Sequence, residues 1–439
     1  MMTFKDETGL FGVFGHSPAD RLARQALMGL THRGRLGASV VSSDGHLLRE
    51  LHVDPSGRDL DFRVDSRPGL LALGAVWNDP SPQPCRPLVA RYHGGQLAVA
   101  MAGRFTNSGA LRARLKSEGA IFSTLRDAEL VAHLVARSRQ QTFVNRVVDA
   151  LQQVEGAFSI LICSEDRLVA VRDPRGLRPL SLGEVQGATV FASDPSPILA
   201  IEGSVARPVA PGEVLVVDAE GLVSLKPFRR ESERPCVWEA LALLPIAADK
   251  VYTTRVALGE RLAKLQPCTG GTVVVSPPGA ATPFALGYAR ALGLPWVEAL
   301  QPHPDTRWQA IPSLVTGQHV VLVLPGLTVP DRVRDAIQLL RKAGATEVHV
   351  RVASPIARAL CAYGVLSSPP GLPSDVTASV IAELLGADSA GTLSLTALES
   401  VVAASGTLPA GAVCAGCLGG AWPVVSAEEG EEQLPLFVG

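Results

Sequence analysis

The chain has 439 residues, of which 47% are hydrophobic and 19% are charged, and its formal net charge is −2. This composition excludes a disordered chain, and the near-neutral net charge indicates that the surface as a whole does not attract nucleic acid or anionic lipid. The sequence contains no apolar run of membrane-spanning length and no secretory signal at MMTFKDETG, so we expect a cytoplasmic protein without membrane or nucleic-acid partners.

Residues 8–225 predict many short strands and two amphipathic helices. The segments SPADRLARQALMGLTHRG and DAELVAHLVARS carry apolar residues at helical spacing. These residues are Leu22, Ala26, Leu27 and Leu30 in the first segment and Leu130, Val131, Leu134 and Val135 in the second. The strand candidates are RLGASVVSS, QLAVAMAG, FSILICSE, LVAVRD and EVLVVDAE. This mixture of elements predicts a sandwich of sheets and helices.

The charged run KPFRRESERP, residues 226–235, predicts a domain boundary, because it ends in proline and the pattern changes after it. The segments GGTVVVSPPGAATPFALGYARALGLP and GQHVVLVLPGLTVPDRVRDAIQLLRKAGATEVHVRVAS each predict a strand, a loop and a helix. In the second segment, Val333, Ile337 and Leu340 form a helical stripe, and EVHVRVA supplies the next strand. Helices that alternate with buried strands indicate a parallel sheet built from βαβ units.

The seven cysteines indicate thiols or a metal centre rather than a disulfide framework, because their number is odd and the chain is long. The pair Cys414 and Cys417 has C-x₂-C spacing, which alone is compatible with zinc, an iron–sulfur cluster or a redox pair. Cys85, Cys163 and Cys268 match no motif, so we expect them to be small core residues.

Several motifs occur along the chain in a recognisable order. TGLFGVFGH, THRGRLGAS, RDPRGLRPLSLG, FASDPSPILA, APGEVLVVD, RPCVWEALALLP, AGATEVHVRVASPIARALCAYGV and CAGCLGGAWP resemble successive segments of the glutamine phosphoribosylpyrophosphate amidotransferases, or amidophosphoribosyltransferases. RPCVWEALALLP resembles the entry to the family's phosphoribosyltransferase domain, and the last two segments are similar to late segments of the family's iron–sulfur branch. The resemblance implies an α/β protein with an α+β N-terminal part: an N-terminal-nucleophile hydrolase αββα sandwich, then a type I phosphoribosyltransferase domain with a parallel sheet.

The resemblance also implies four segments. Residues 1–7 are similar to a leader, residues 8–230 to a type 2 glutamine amidotransferase domain, and residues 231–425 to a phosphoribosyltransferase domain that carries the C-terminal cysteine pair. Residues 426–439 form an acidic tail.

In the glutaminase site that the resemblance implies, Thr8 stands at the position of the nucleophilic cysteine. A threonine can serve as an N-terminal nucleophile when its own amine is the base. However, Trp77 replaces the family's arginine for the glutamine carboxylate, and Ala102 replaces the asparagine of the oxyanion hole. Gly103 and Asp127 are the remnants of the glutamine site, so we expect glutamine hydrolysis to be lost.

In the phosphoribosyl site that the resemblance implies, VLVLPGLTVPDR replaces the family's loop Asp-Asp-Ser-x-Val-Arg-Gly-Thr-Thr. Leu324 and Pro325 occupy the positions of the acidic pair, and Gly326 and Thr328 are the remnants of the phosphate loop. VSPPGAATP lacks the aspartate of the pyrophosphate loop, and the family's flexible loop is deleted before LQPHPDTR. We therefore expect no binding of phosphoribosylpyrophosphate and magnesium in the family's manner.

The cysteines follow the family more closely than the substrate sites do. Cys236, Cys361, Cys414 and Cys417 match the four ligands of the iron–sulfur branch. Four thiolates are the ligand set of a [4Fe–4S] cluster, and zinc in a Cys₄ site is the alternative. Ordinary buried thiols are the third interpretation.

These observations predict an amidophosphoribosyltransferase homologue of purine nucleotide biosynthesis that is catalytically impaired and has a structural or regulatory role. Because family members are oligomeric, the resemblance implies a homo-oligomer or a hetero-oligomer with an active homologue. Two alternatives stay open: an active enzyme of the same step that uses Thr8 as nucleophile, and a redox-responsive binding protein whose cluster is the functional part.

Overall fold

The computed structural model describes residues 8–53, 69–78, 85–246, 248, 250–303, 307–365, 376–408 and 413–424. The leader-like segment 1–7 and the acidic tail 426–439 lie outside these residues. The chain folds into two compact units. The N-terminal unit consists mainly of Asp6–Ser232 with Ala362–Val365, and the C-terminal unit mainly of Glu233–Cys361 and Leu366–Ala421.

The N-terminal unit is built from antiparallel strands and short helices. Its elements are β1 (Gly9–Phe14), α1 (Ala19–Met28), β2 (Gly37–Ser43), β3 (Leu48–Val53), β4 (Leu71–Trp77), β5 (Leu88–Tyr92), β6 (Gly95–Phe105), α2 (Ser108–Ser117), α3 (Asp127–Arg137), α4 (Phe143–Leu151), β7 (Gly156–Cys163), β8 (Leu168–Arg172), β9 (Ser181–Val185), β10 (Ala188–Ala192), α5 (Ser196–Ala200), β11 (Ser204–Pro208), β12 (Val214–Asp218) and β13 (Gly221–Leu225). All the strand and helix segments predicted in this part of the sequence adopt the predicted type.

Two sheets form the centre of this unit. A seven-stranded sheet has the order β11-β9-β10-β1-β4-β2-β3, and a six-stranded sheet has the order β13-β12-β8-β7-β6-β5. One apolar cluster, which includes Leu10, Ala75, Ala102 and Leu161, contains inward-facing side chains from both sheets. The outer faces pack against helices: α1 covers β1 and β4, and α3 covers β6. The unit is therefore the sandwich of sheets and helices that the residue pattern predicts, in the αββα arrangement that the resemblance implies.

The C-terminal unit contains a parallel sheet. Its elements are a π-helical turn (Glu239–Leu243), α6 (Val251–Leu265), β14 (Val273–Val275), α7 (Thr282–Leu292), β15 (Leu300–His303), β16 (Arg307–Ala310), α8 (Pro312–Val315), β17 (His319–Leu324), α9 (Pro330–Lys342), β18 (Glu347–Val352), α10 (Ala378–Leu385), β19 (Ser389–Thr392), α11 (Leu395–Ser405) and a 3₁₀ turn (Gly416–Leu418).

The four-stranded sheet of the C-terminal unit has the order β14-β17-β18-β19, and each neighbouring pair is parallel. The predicted stripe of Val333, Ile337 and Leu340 on α9 is buried in the apolar cluster that also contains Val348 and Val350 of β18. The βαβ prediction is thus confirmed. Within the described ranges, no helix is both long and apolar enough to cross a membrane.

Candidate functional site

Thr8 lies immediately before β1 in the centre of the seven-stranded sheet, and it is 1% exposed. The antiparallel ladder between β1 and β4 sets Gly9 opposite Val76. One further step of this ladder brings Thr8 beside Trp77. The structure therefore brings together Thr8, at the nucleophile position, and Trp77, at the position where the resemblance implies an arginine.

The side chain of Trp77 is buried, with an exposure of 7%. Its indole packs against β2. Trp77 is paired with Gly37, and a Cβ atom added to Gly37 would lie 2.0 Å from Cε2 of the indole. Only glycine leaves room for the ring at this position. Position 77 thus presents an aromatic surface, which provides no cation for a carboxylate.

The oxyanion-hole position lies on β6 in the facing sheet. Ala102 is 4% exposed and belongs to the apolar cluster between the sheets. Gly103 has φ +106°, and a Cβ atom there would lie 2.0 Å from the carbonyl oxygen of Ala157. The backbone at Gly103 therefore requires glycine, while the neighbouring methyl group of Ala102 offers no donor for an oxyanion.

Asp127, at the first position of α3, is occupied by contacts within the protein. Its Oδ2 atom accepts a hydrogen bond from Phe105 N at 2.8 Å, and its Oδ1 atom accepts one from Ser108 Oγ at 2.7 Å. Burial raises the pKa of the Asp127 carboxyl above its ordinary value, although these hydrogen bonds oppose the rise. Asp127 consequently joins the ends of β6, α2 and α3.

A buried ion pair that sequence reasoning did not single out borders the start of β1. Asp194 Oδ2 accepts hydrogen bonds from Arg33 Nε at 2.6 Å and from His32 Nε2 at 2.9 Å. Burial would raise the pKa of Asp194, but the Arg33 guanidinium and His32 outweigh it and hold that pKa well below its usual range. In the preceding residue, Ser193 Oγ accepts from Leu10 N at 2.8 Å. The motif THRG was the sequence signal for this cluster, in which Arg33 and His32 compensate the buried charge of Asp194.

The end of β17 is apolar at the positions where the family has its acidic pair. Leu324 is 5% exposed and lies in the core with Leu327, which is 1% exposed. The following Pro325 is also buried. Proline has no N–H, and Pro330 at the start of α9 removes a second donor from the same loop. This loop therefore offers fewer donors than a phosphate cradle uses.

The two remnants of the phosphate loop are buried in the same turn. Gly326 is buried, and Thr328 is 5% exposed. Among the described residues, Thr328 Oγ1 has no hydrogen-bond partner. Directly after the neighbouring strand β14, Ser276 is 2% exposed, and its hydroxyl accepts from Trp296 Nε1 at 3.4 Å. The structure thus places both loops at the carboxyl edge of the sheet, where parallel sheets bind ligands.

Backbone hydrogen bonds bring the four predicted ligand cysteines together from three distant segments. Cys236 and Cys414 form a parallel β-bridge, in which Cys414 N donates to Pro235 O at 2.9 Å and Val237 N donates to Cys414 O at 3.0 Å. Cys417 lies in the 3₁₀ turn, and its carbonyl accepts from Arg358 N, three residues before Cys361, at 2.8 Å. All four side chains are buried, with exposures of 3–6%.

The electrostatics of the four thiols indicate that they share one environment. Burial raises the pKa of Cys236 well above its ordinary value, and the proximity of Cys414, Cys361 and Cys417 raises it further. Burial and Cys361 likewise raise the pKa of Cys417, although the Trp238 indole opposes this by donating to Cys417 Sγ at 3.2 Å. Clustered buried thiols of this kind become thiolates only when a positive charge is supplied.

The structure joins none of the seven cysteines in a disulfide. Cys163 and Cys268 are core residues, as the sequence predicts, with exposures of 0% and 8%. The prediction for Cys85 is wrong, because this residue is partly exposed and lies near the Arg126 guanidinium. Across the part of the chain that the structure describes, no three His, Cys, Asp or Glu side chains form a group that could hold a metal ion.

Comparisons with known proteins cover nearly the whole chain. A family model described as a glutamine amidotransferase domain matches residues 77–200. The chain is 34% identical over 451 residues to a chloroplastic amidophosphoribosyltransferase of Vigna aconitifolia, with 96% of this chain and 92% of the relative covered. It is 30% identical over 448 residues to the amidophosphoribosyltransferase of Bacillus subtilis, with 94% and 92% covered. The solved structure of the glutamine phosphoribosylpyrophosphate amidotransferase from B. subtilis, complexed with ADP and GMP, is similar with a TM-score of 0.87 and 28% identity, with 96% of this chain and 98% of that chain covered.

Proposed function

Because the chain belongs to the amidophosphoribosyltransferase family, we propose that it is a catalytically impaired member with a structural or regulatory role in purine nucleotide biosynthesis. In this proposal the chain keeps the family's fold and cofactor ligands but neither hydrolyses glutamine nor transfers an amine to phosphoribosylpyrophosphate at ordinary enzyme rates. It acts by association, as a homo-oligomer or with an active homologue.

The observation that carries the proposal is the apolar end of β17. Ribose hydroxyls need hydrogen-bond acceptors, and the side chain of Leu324 instead lies in the core with an exposure of 5%. A leucine side chain has no acceptor, and Pro325 and Pro330 have no N–H. Loss of this site removes the amine acceptor, so the reaction fails with either glutamine or free ammonia as the nitrogen source.

The glutaminase half supports the same conclusion independently. Trp77 supplies no cation for a glutamine carboxylate, and Ala102 supplies no side-chain donor for an oxyanion. The loss of one oxyanion donor alone lowers kcat by about 10²–10³-fold. A threonine hydroxyl at position 8 would also be a weaker nucleophile than a thiolate.

We also propose that Cys236, Cys361, Cys414 and Cys417 hold a [4Fe–4S] cluster, which when bound supplies the positive charge that these buried thiols need. The donor set supports this assignment, since four thiolates are the ligands that such a cluster takes. Zinc in a Cys₄ site is the competing assignment, but among the described residues no three His, Cys, Asp or Glu side chains form a group that could hold a metal ion. Iron and acid-labile sulfide analysis of anaerobically prepared protein distinguishes the two, because zinc protein contains neither and lacks the visible absorbance of the cluster.

The functional proposal is tested by assaying purified, cluster-loaded protein with phosphoribosylpyrophosphate, Mg²⁺, and either glutamine or ammonia. The B. subtilis relative, assayed in parallel, shows that the conditions support catalysis. We expect no phosphoribosylamine above background and no heat of binding when phosphoribosylpyrophosphate is titrated into the protein. Turnover at a rate comparable to that of the active relative would refute the proposal.

Intact mass measured on the same preparation tests the competing use of Thr8 as a nucleophile. That mechanism requires a free α-amine on Thr8, so it requires removal of residues 1–7. A mature mass that begins at Thr8, together with glutamine hydrolysis, would replace the proposal by an active threonine-type enzyme. Retention of residues 1–7 excludes this version, whatever the result of the ammonia assay.

A further inference from the structure

The sulfur of one predicted cluster ligand accepts a hydrogen bond from a buried tryptophan. Trp238 Nε1 lies 3.2 Å from Cys417 Sγ, and the two residues are 1% and 3% exposed. An indole N–H is a donor only, and a sulfur that carries negative charge is a better acceptor than a neutral thiol. We propose that Trp238 is a positioning residue of the iron–sulfur centre, and that its N–H raises the reduction potential by stabilising charge on Cys417. This inference rests on the proposed [4Fe–4S] cofactor.

Donor and acceptor are both held by the main chain. Trp238 follows Cys236 by two residues, in the segment that is bonded to Cys414 through Pro235 and Val237. On the other side, the carbonyl of Cys417 accepts from Arg358 N, and Leu418 N and Gly420 N both donate to Ala415 O. The indole therefore has a fixed direction toward one of the four sulfurs, which is the condition for an oriented effect on a metal centre.

The sign of the effect follows from charge. Reduction by dithionite adds one electron, and with it one negative charge, to the cluster and its four thiolates. A positive N–H dipole directed at a thiolate stabilises the reduced form more than the oxidised form, so it raises the potential. Because solvent is excluded from this site, the dipole is little screened, and its removal should be measurable.

The test compares two Trp→Phe substitutions in the same unit. Trp238→Phe removes the N–H that faces Cys417, and Trp296→Phe removes an N–H that donates to Ser276 Oγ at 3.4 Å. Each anaerobically prepared protein is analysed for iron and sulfide, and its reduction potential is then measured by spectroelectrochemical titration. We expect full cluster content in all proteins, a more negative potential for Trp238→Phe, and the wild-type potential for Trp296→Phe.

A second variant covers the case in which the smaller phenyl ring prevents folding or cluster assembly. Replacement of Trp238 by benzothienylalanine keeps the bicyclic shape but substitutes sulfur for the N–H. A more negative potential in this variant, or loss of iron from it while Trp296→Phe stays loaded, supports the inference, since only the donor has been removed.

Two results would overturn the inference, and they differ from one another. A fully loaded Trp238→Phe or benzothienylalanine protein with the wild-type potential refutes the role of the N–H but leaves the cluster assignment intact. Wild-type protein without iron and sulfide refutes the cluster assignment and this inference with it. Neither result bears on the impaired amidotransferase activity, which is measured separately.

Discussion

The position of Trp77 on Gly37 can be tested by a double-mutant cycle. Gly37→Ala adds a methyl group 2.0 Å from the indole, too close for any unshifted contact, and the indole cannot move freely because Trp77 is 7% exposed. We expect this overpacking to lower the free energy of unfolding by about 1–3 kcal/mol. Trp77→Ala removes a large buried side chain and should cost about 3–5 kcal/mol.

The double variant shows whether the effects of the two substitutions are coupled. In the Trp77→Ala background the added methyl group meets no ring, so Gly37→Ala should lose its cost and partly fill the vacated space. The coupling between the two sites should therefore be about 1–3 kcal/mol in favour of the double variant. The matched control is Gly12→Ala, whose methyl group would meet Leu168 and Leu161 but not Trp77; its cost should be the same in both backgrounds.

The assay is urea unfolding followed by pulsed hydrogen exchange and mass spectrometry, because peptides from β1, β2 and β4 report on the N-terminal unit alone. Additive effects of Gly37→Ala and Trp77→Ala, within about 0.5 kcal/mol, would refute the placement of the indole on Gly37. That result would also remove the structural argument that position 77 presents an aromatic surface beside Thr8.

Three further predictions concern other parts of the chain. Glu213 accepts hydrogen bonds from Arg207, Ala210 N and Ser224 Oγ, which outweigh burial and lower its pKa from 4.5 to about 2. The stability that Glu213 contributes is thus complete above pH 4.5 and is lost as the pH falls toward 2. Glu213→Gln should therefore flatten the fall in melting temperature over this pH interval. An unchanged slope of melting temperature against pH would contradict the lowered pKa of Glu213. Cys414→Ser should abolish the visible absorbance of anaerobically prepared protein, whereas Cys268→Ser should keep it, and an unchanged spectrum for Cys414→Ser would disprove the ligand assignment. Leu324→Asp should place an unpaired carboxylate in the core and lower the free energy of unfolding by about 3 kcal/mol, measured by urea titration; an unchanged stability would show that position 324 is not part of the core.

Local sequence patterns were sufficient for part of the secondary structure of this protein, and the family resemblance implied its fold class. Apolar residues at helical spacing, such as Leu130 and Leu134, and the short apolar runs between turns are local patterns, so α1, α3 and several strands could be predicted from their own residues. The helices α2, α4 and α5 were not predicted. The absence of acidic side chains at Leu324 and Pro325 is likewise a property of the sequence, because no fold can restore a carboxylate there.

The structural role of Asp127 could not be predicted from its residue type. An aspartate at a helix start is compatible with a cap, a surface charge or a substrate ligand. Its contacts with Phe105 N and Ser108 Oγ depend on how the end of β6 meets α2 and α3. The exposure of Cys85 was similarly beyond sequence reasoning, since burial depends on neighbours that are distant in the chain.

The sequence by itself determined the more strongly patterned helices and strands, their apolar faces and the residue types that the two substrate sites lack. Only the tertiary structure decided which distant groups meet: Trp77 with Gly37, Asp194 with Arg33 and His32, and Trp238 with a sulfur 179 residues away. The physical reason is the separation along the chain over which each effect acts. Periodicity acts between residues a few positions apart, whereas a hydrogen bond or a close packing contact requires two segments to be fixed within a few tenths of an ångström, which is a result of the packing of the whole unit.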